Sequence, residues 1–216
     1  MKWTDQAWKA VQPIFHHTCQ HPFIQELMAG TLAKEKFLFY IEQDGIYLAS
    51  YGKLLTGLAT RLENPAHRRA FISFAGDNMD QERELHQTFI QTIDPNVQAT
   101  PTCLLYTTTL LHHLAVSPVE VALAAVMPCF VVYMQVGKYI YENQPKEGNN
   151  PYQAWIDTYA DGEHVQSVID ALQVCNEVAQ KCTPEQQQAM LDAYITSARI
   201  EHLFWDSAYQ LEQWKV

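Results

Sequence analysis

Cys129, Asp44 and Glu201 are the side chains of this sequence best placed for chemistry, each because of what is spaced around it. Cys129 follows Pro128 inside the apolar stretch AAVMPCFVVY. A proline within a helix removes one N–H from the ladder and displaces the carbonyl four residues back, here that of Ala124, at about 3 kcal/mol relative to alanine. Such a cost is usually borne for a packing or functional reason. Tyr133 lies one turn beyond Cys129 on the same face. The thiol could act as a nucleophile, yet a cysteine in an apolar run is ordinarily an inert core residue. Both readings stand on this segment alone.

The two carboxylates sit in aromatic company. Tyr40, Asp44, Tyr47 and Tyr51 follow spacings of four, three and four, one stripe of a helix, with Phe37, Ile41 and Leu48 beside it. Asp44 is then either a snorkelling surface acid or a buried, hydrogen-bonded one, and the rings favour burial because an acid is not buried without a reason. Glu201 shares a face with Phe204, Trp205 and Ala208. Apolar surroundings raise a carboxyl pKa toward neutrality, which suits proton transfer. Tyr106, Tyr152, Trp155 and Tyr159 add flat faces at helical spacing, although core packing is the ordinary use of each. A thiol, two carboxylates and many rings together suit a flat heteroaromatic ligand, with rings stacking and carboxylates pairing with its nitrogens.

Helices must position these groups. Eight glycines and the lack of period-two alternation argue against sheet, and helical periodicity runs through nearly the whole sequence. The pattern predicts helices from about Thr4 to Cys19 with a bend at Pro13, a short one after His21-Pro22-Phe23 stopping at Gly30, and long ones over Ala33–Glu63 and Ala66–Ile93. Asp94-Pro95-Asn96 closes the last of these. Thr102–Val116, Tyr152–Ala160 and Glu163–Cys182 follow. Ser117-Pro118-Val119-Glu120 reads as a capping box opening one further helix, and Thr183-Pro184-Glu185-Gln186 as one opening the last, which should reach about Gln213. The stretch 144–151 is the one evident surface loop. No polar linker divides the chain, so residues 1–216 read as one all-α domain, a single helical bundle.

Composition narrows the partners. Lysine and arginine number 14 against 24 acidic residues, a net charge of −10 that repels phosphate backbones and makes nucleic acid an unsuitable partner. The stretch from Val119 to Gly137 is apolar but broken by Pro128, so it reads as a buried helix rather than a membrane span. Five cysteines without a C-x-x-C pair fit reduced thiols in a cytoplasmic protein, and Cys19, Cys103, Cys175 and Cys182 are taken as structural. None of the nine histidines has a glutamate three residues before it, as a di-iron bundle requires, so no metal and no cofactor are expected.

At these positions the chain resembles the TenA family (thiaminase II) over nearly its whole length. The matching stretches are His21-Pro22-Phe23, Gln43-Asp44 with Tyr47, Thr102-Cys103 with Tyr106-Thr107, Pro128-Cys129 with Tyr133, Trp155-Ile156 with Tyr159, Glu201 with Phe204-Trp205, and the closing Leu211-Glu212-Gln213-Trp214. The cysteine places it with the cysteine-bearing branch. The resemblance implies a haem-oxygenase-like helical fold, usually a homotetramer, and an aminopyrimidine aminohydrolase of thiamin salvage that also cleaves thiamin. It implies Cys129 as nucleophile, Glu201 as acid/base, Asp44 as the residue that holds the pyrimidine amino group and assists the thiol, and Tyr47, Tyr106, Tyr133, Tyr159 and Phe204 as the ring pocket. No Lys, Arg or His adjoins Cys129 in sequence, so its activation has to come from a hydrogen bond in the fold or from proton transfer to a carboxylate. The competing class is a non-catalytic binder of haem or a pyrimidine, or a cofactor-dependent oxidase on the same fold. Haem would need an axial ligand such as His16, His17 or His21, and a Soret band would reveal it.

Overall fold

The computed structural model describes residues 1–89, 97–146, 149–160 and 162–215. Among them the helices run α1 (Trp3–Gln20), α2 (Pro22–Ala29), α3 (Lys34–Arg61), α4 (Pro65–Phe89), α5 (Pro101–Val116), α6 (Val119–Asn143), α7 (Gln153–Ala160), α8 (Gly162–Ala179) and α9 (Pro184–Gln210), with no strand. The all-α reading holds. α6 is apolar over most of its length and packs against α1, α2, α3, α5, α7, α8 and α9. It is long and apolar enough to cross a bilayer, but 78% of that window is buried inside the fold, where a core helix belongs.

Several boundaries follow from local chemistry. His21 caps α2 by accepting the N–H of Phe23 at 3.2 Å, Pro22 needs no N–H at the first turn, and Gly30 ends the helix at φ 71°. The Thr183–Gln186 capping box forms as expected. The Ser117–Glu120 box does not. Pro118 is the N-cap of α6 and offers no side-chain bond. Ser117 closes α5 instead, its hydroxyl 3.0 Å from His113 Nδ1, while Glu120 is buried and accepts from Gln186 Nε2 at 2.7 Å. An interhelical partner outcompeted the local one.

The last helix also stops short of Gln213. Leu211 turns left-handed at φ 52°, and the Glu212 N–H closes on the Ser207 carbonyl at 2.9 Å. The Glu212 carboxylate then accepts from the Thr102 N–H at 3.0 Å and Ser207 Oγ at 2.9 Å, and Trp214 Nε1 donates to the Ala99 carbonyl at 3.0 Å. The tail is therefore tied across the start of α5. The expected close at 94–96, the end of the preceding helix at Ile93, and Glu147-Gly148 of the expected loop lie outside the described residues.

Candidate active site

The tyrosine stripe of α3 faces inward. Tyr40, Tyr47 and Tyr51 are buried, as is Asp44 between them. Tyr40 stacks on Trp205 of α9 with centroids 5.1 Å apart and planes 19° apart, and Tyr47 stacks between Tyr51 at 5.4 Å and Tyr106 at 4.7 Å. Tyr51 reaches α6 at the Pro128 turn, where its hydroxyl donates to the Val126 carbonyl at 2.8 Å. That bond fixes the backbone just ahead of Cys129. Further along α6, Gly137 lets α7 approach to backbone distance: a Cβ there would lie 2.6 Å from Tyr159 Cβ.

A cavity of about 630 Å³ opens beside this turn. Asp44, Tyr51, Cys129, Phe130, Tyr133 and Tyr159 line its inner part, and Tyr133 and Tyr159 meet with centroids 5.1 Å apart. Asp77 and Asn78 of α4 and His164, Ser167 and Asp170 of α8 line the rest. Cys129 keeps partial exposure, which is exposure to the cavity, although protein surrounds it on all sides.

Behind the wall lies a second layer. Glu201 is 1% exposed and accepts the Tyr106 hydroxyl on Oε1 at 2.6 Å, while its Oε2 has no hydrogen-bond partner among the described residues. Tyr47 Oη and Trp205 Nε1 are buried without one as well. Phe204 packs on both Tyr40 and Tyr47. Thus Asp44, Cys129, Tyr133 and Tyr159 reach the cavity, whereas Tyr47, Tyr106, Glu201 and Phe204 stand in the layer that supports it.

Electrostatics separates the groups by role. Burial pushes the Glu201 carboxyl up to about 8, and the nearby Asp44 charge pushes the same way, against the Tyr106 bond that lowers it. Glu201 therefore keeps its proton at neutral pH. Burial also raises the Cys129 thiol well above its ordinary value, with the Glu201 and Asp44 charges adding to it. The nearby hydroxyls of Tyr47 and Tyr51 oppose this by favouring the thiolate. The Tyr47 hydroxyl does not meet ordinary hydrogen-bond geometry toward any group, but it faces the sulfur closely enough to matter. Both the thiol and the Glu201 carboxyl are therefore neutral at neutral pH.

An aspartate and a thiol on the cavity surface, a protonated glutamic acid one layer back and stacked rings around them can bind a flat, nitrogen-bearing ring, protonate it and attack it. The residues on α4 and α8 were not singled out in the sequence. Phe74, Asp77 and Asn78 follow helical spacing, but the same spacing describes any half-exposed helix, and only the fold turns that face toward Cys129.

The profile of the TENA/THI-4/PQQC family matches residues 8–211. The chain is 27% identical over 220 residues to the aminopyrimidine aminohydrolase of Bacillus subtilis, covering 99% of this chain and 92% of that protein. Among solved structures, a TenA homologue from Pyrococcus furiosus superposes with a TM-score of 0.89 at 17% identity, covering 95% of this chain and 99% of that one. A domain from Shewanella denitrificans with a heme oxygenase-like fold superposes with a TM-score of 0.74 at 14% identity, over 96% of this chain and 92% of that one. The expected haem-oxygenase-like fold is thereby found.

Proposed function

The chain belongs to the TENA/THI-4/PQQC family, and from that premise we propose that it is an aminopyrimidine aminohydrolase of the thiaminase II kind, acting in thiamin salvage. The observation that carries this reading is a cavity lined by Cys129 and Asp44 and backed by the buried Glu201, whose carboxyl burial pushes up to about 8. A 4-aminopyrimidine is a poor electrophile until a ring nitrogen is protonated. Glu201 is the acid that supplies this proton, and Asp44 is the carboxylate that pairs with the exocyclic amino group and draws the proton from the thiol. The Cys129 sulfur adds to a ring carbon, forming a C–S bond. The bond from the exocyclic methylene to the leaving nitrogen then breaks, the electron pair departing with ammonia or with the thiazole. Water adds its oxygen to the methylene, the C–S bond breaks as the ring regains aromaticity, and the protons return to Glu201 and Cys129. Tyr133 and Tyr159 are the rings against which the pyrimidine stacks, with Tyr47, Tyr106 and Phe204 holding them and Glu201 in register.

The test is incubation with thiamin and with aminomethyl-aminopyrimidine, followed by mass spectrometry for hydroxymethylpyrimidine. Product from either supports the reading, and no product from both overturns it. A rate that survives Cys129→Ser removes the nucleophile while leaving the activity. The proposal extends to the cytoplasmic, homotetrameric state that the resemblance implies; sedimentation equilibrium giving a monomer removes the tetramer.

A further inference from the structure

Tyr106 and Glu201 meet across two helices that are held on different terms. α9 is buried along most of its inner face, whereas α5 buries Cys103, Tyr106, Thr107 and Leu110 out of its 16 residues. Packing alone therefore fixes the setting of α5 loosely, and polar ties at its two ends complete it. At the far end the Arg61 guanidinium of α3 donates to the carbonyls of Leu114 and Ser117. At the near end Gln43 of α3 accepts the Thr100 N–H on Oε1 at 2.8 Å and donates to the Gln98 carbonyl at 3.1 Å, which pins the chain there to α3. The tie from that end to α9 is made by Glu212. Its Oε2 accepts both the Thr102 N–H at 3.0 Å and Ser207 Oγ at 2.9 Å, and Ser207 Oγ also meets Thr100 Oγ1 at 3.4 Å. The left-handed turn at Leu211 and the bond from the Glu212 N–H to the Ser207 carbonyl set the carboxylate in this place. Thr102 is one helical turn from Tyr106, and Ser207 is under two turns from Glu201. The tie thus spans the same pair of helices as the Tyr106–Glu201 bond, close beside it.

Resting on the pyrimidine-hydrolase reading, we propose that Glu212 is a positioning residue for Glu201, acting through α5 and Tyr106. The Tyr106 hydroxyl donates to Glu201 Oε1 at 2.6 Å, so Oε1 is the acceptor oxygen of the neutral acid. The acid proton then sits on Oε2, the oxygen with no hydrogen-bond partner among the described residues. Without the Glu212 tie, α5 swings about its Gln43 anchor and the Tyr106 bond lengthens. The proton is then divided between two oxygens that point in different directions, and the acid meets its target in the wrong orientation part of the time. A misplacement of about 1 Å of this kind costs up to about 10²-fold in rate even when the substituted residue lies far from the chemistry. Glu212 touches no reacting atom; it chooses the oxygen from which the proton leaves.

The experiment measures kcat and KM for thiamin, together with the infrared carbonyl band of the Glu201 carboxylic acid, identified by its loss in Glu201→Gln. The proteins compared are wild type, Glu212→Ala, Glu212→Gln, Tyr106→Phe and the Glu212→Ala/Tyr106→Phe double variant. Glu212→Ala should lower kcat about tenfold with KM changed by less than about twofold. Glu212→Gln keeps an acceptor for Thr102 and Ser207 and should return kcat to within about twofold of wild type. The double variant should be no slower than Tyr106→Phe alone, since both changes remove one and the same bond. In Glu212→Ala the carbonyl band should move to higher frequency, as in Tyr106→Phe. Should Glu212→Ala melt early, Ser207→Ala removes the α9 half of the tie and carries the same comparison. Losses that multiply in the double variant, an unchanged kcat in Glu212→Ala, or a carbonyl band that stays in place overturn the positioning role and leave the activity standing. A wild type without turnover overturns the functional reading, and the carbonyl band, read without substrate, then still decides the role of Glu212.

Discussion

Two buried polar regions of this protein are built on opposite terms. Where α1 meets α8, Asn176 and Thr4 satisfy each other. The Thr4 N–H donates to Asn176 Oδ1 at 3.0 Å and Asn176 Nδ2 to Thr4 Oγ1 at 2.8 Å. Nearby, Trp3 Nε1 donates to the Gln187 carbonyl at 3.2 Å and Gln187 Nε2 to the Ala179 carbonyl at 2.8 Å. Behind the cavity, Glu201 Oε2, Tyr47 Oη and Trp205 Nε1 have no such partners among the described residues. Leaving a buried polar group unmatched costs about 1–3 kcal/mol. The first region spends its polar atoms on holding helices together, while the second leaves three of its own unmatched. The difference teaches where to look for function: at the mismatched polar atoms rather than at the most polar surface.

Substitutions should pull the two regions apart. The largest effect is expected for Cys129→Ala, a loss of about 10³-fold or more in kcat/KM for thiamin with an unchanged melting curve. Next is Glu201→Gln, which should lower the rate about 10²-fold. Its pH signature is the sharper check. The folded state holds the Glu201 proton up to about 8 against an ordinary value of 4.5, so wild-type stability falls as pH rises between those values and levels off above. Glu201→Gln should lack that contribution, and urea titrations at several pH values would detect it; parallel pH curves for the two proteins would refute a buried, protonated Glu201. In wild type the rate should likewise fall as pH passes about 8.

On the satisfied side, Asn176→Leu should cost about 2 kcal/mol, some 4–8 °C in Tm, with kcat/KM held within about twofold. A large loss of activity there would erase the contrast between the two regions. The smallest effect concerns the link between α4 and α8, where His67 Nε2 meets Glu177 at 2.6 Å. Glu177 is 43% exposed, so solvent screens the pair, and Glu177→Gln should remove less than about 1 kcal/mol, visible as a Tm shift of at most about 3 °C.

Much of the framework was legible because its signals are local. Gly30, the Thr183–Gln186 box and the prolines at helix starts each act within a few residues. The misread box at Ser117 shows the limit, since Glu120 found Gln186, 66 residues away in sequence. For the proposed site, Asp44 and Glu201 were singled out by their aromatic neighbours and Cys129 by Pro128, and the fold puts Asp44 and Cys129 on the cavity with Glu201 behind it. That Tyr133 and Tyr159 reach the cavity while Tyr47 and Tyr106 stand behind it depends on how α3, α5 and α6 pack. The α4 and α8 side of the cavity was hidden because a half-exposed helix face looks alike whether it borders solvent or a cavity.

The near-contact of Gly137 with Tyr159 has a consequence for the protein's history and for anyone who would redesign it. Even one methyl group at position 137 would press on the Tyr159 backbone as well as its Cβ, which cannot simply swing aside. A position that touches no ligand would thus govern the width of the cavity through the seat of a ring. In a saturation scan Gly137 should score as intolerant as Cys129 for a wholly steric reason. Variants with a changed substrate range should then arise from paired exchanges at 137 and along α7, not from substitutions in the cavity alone.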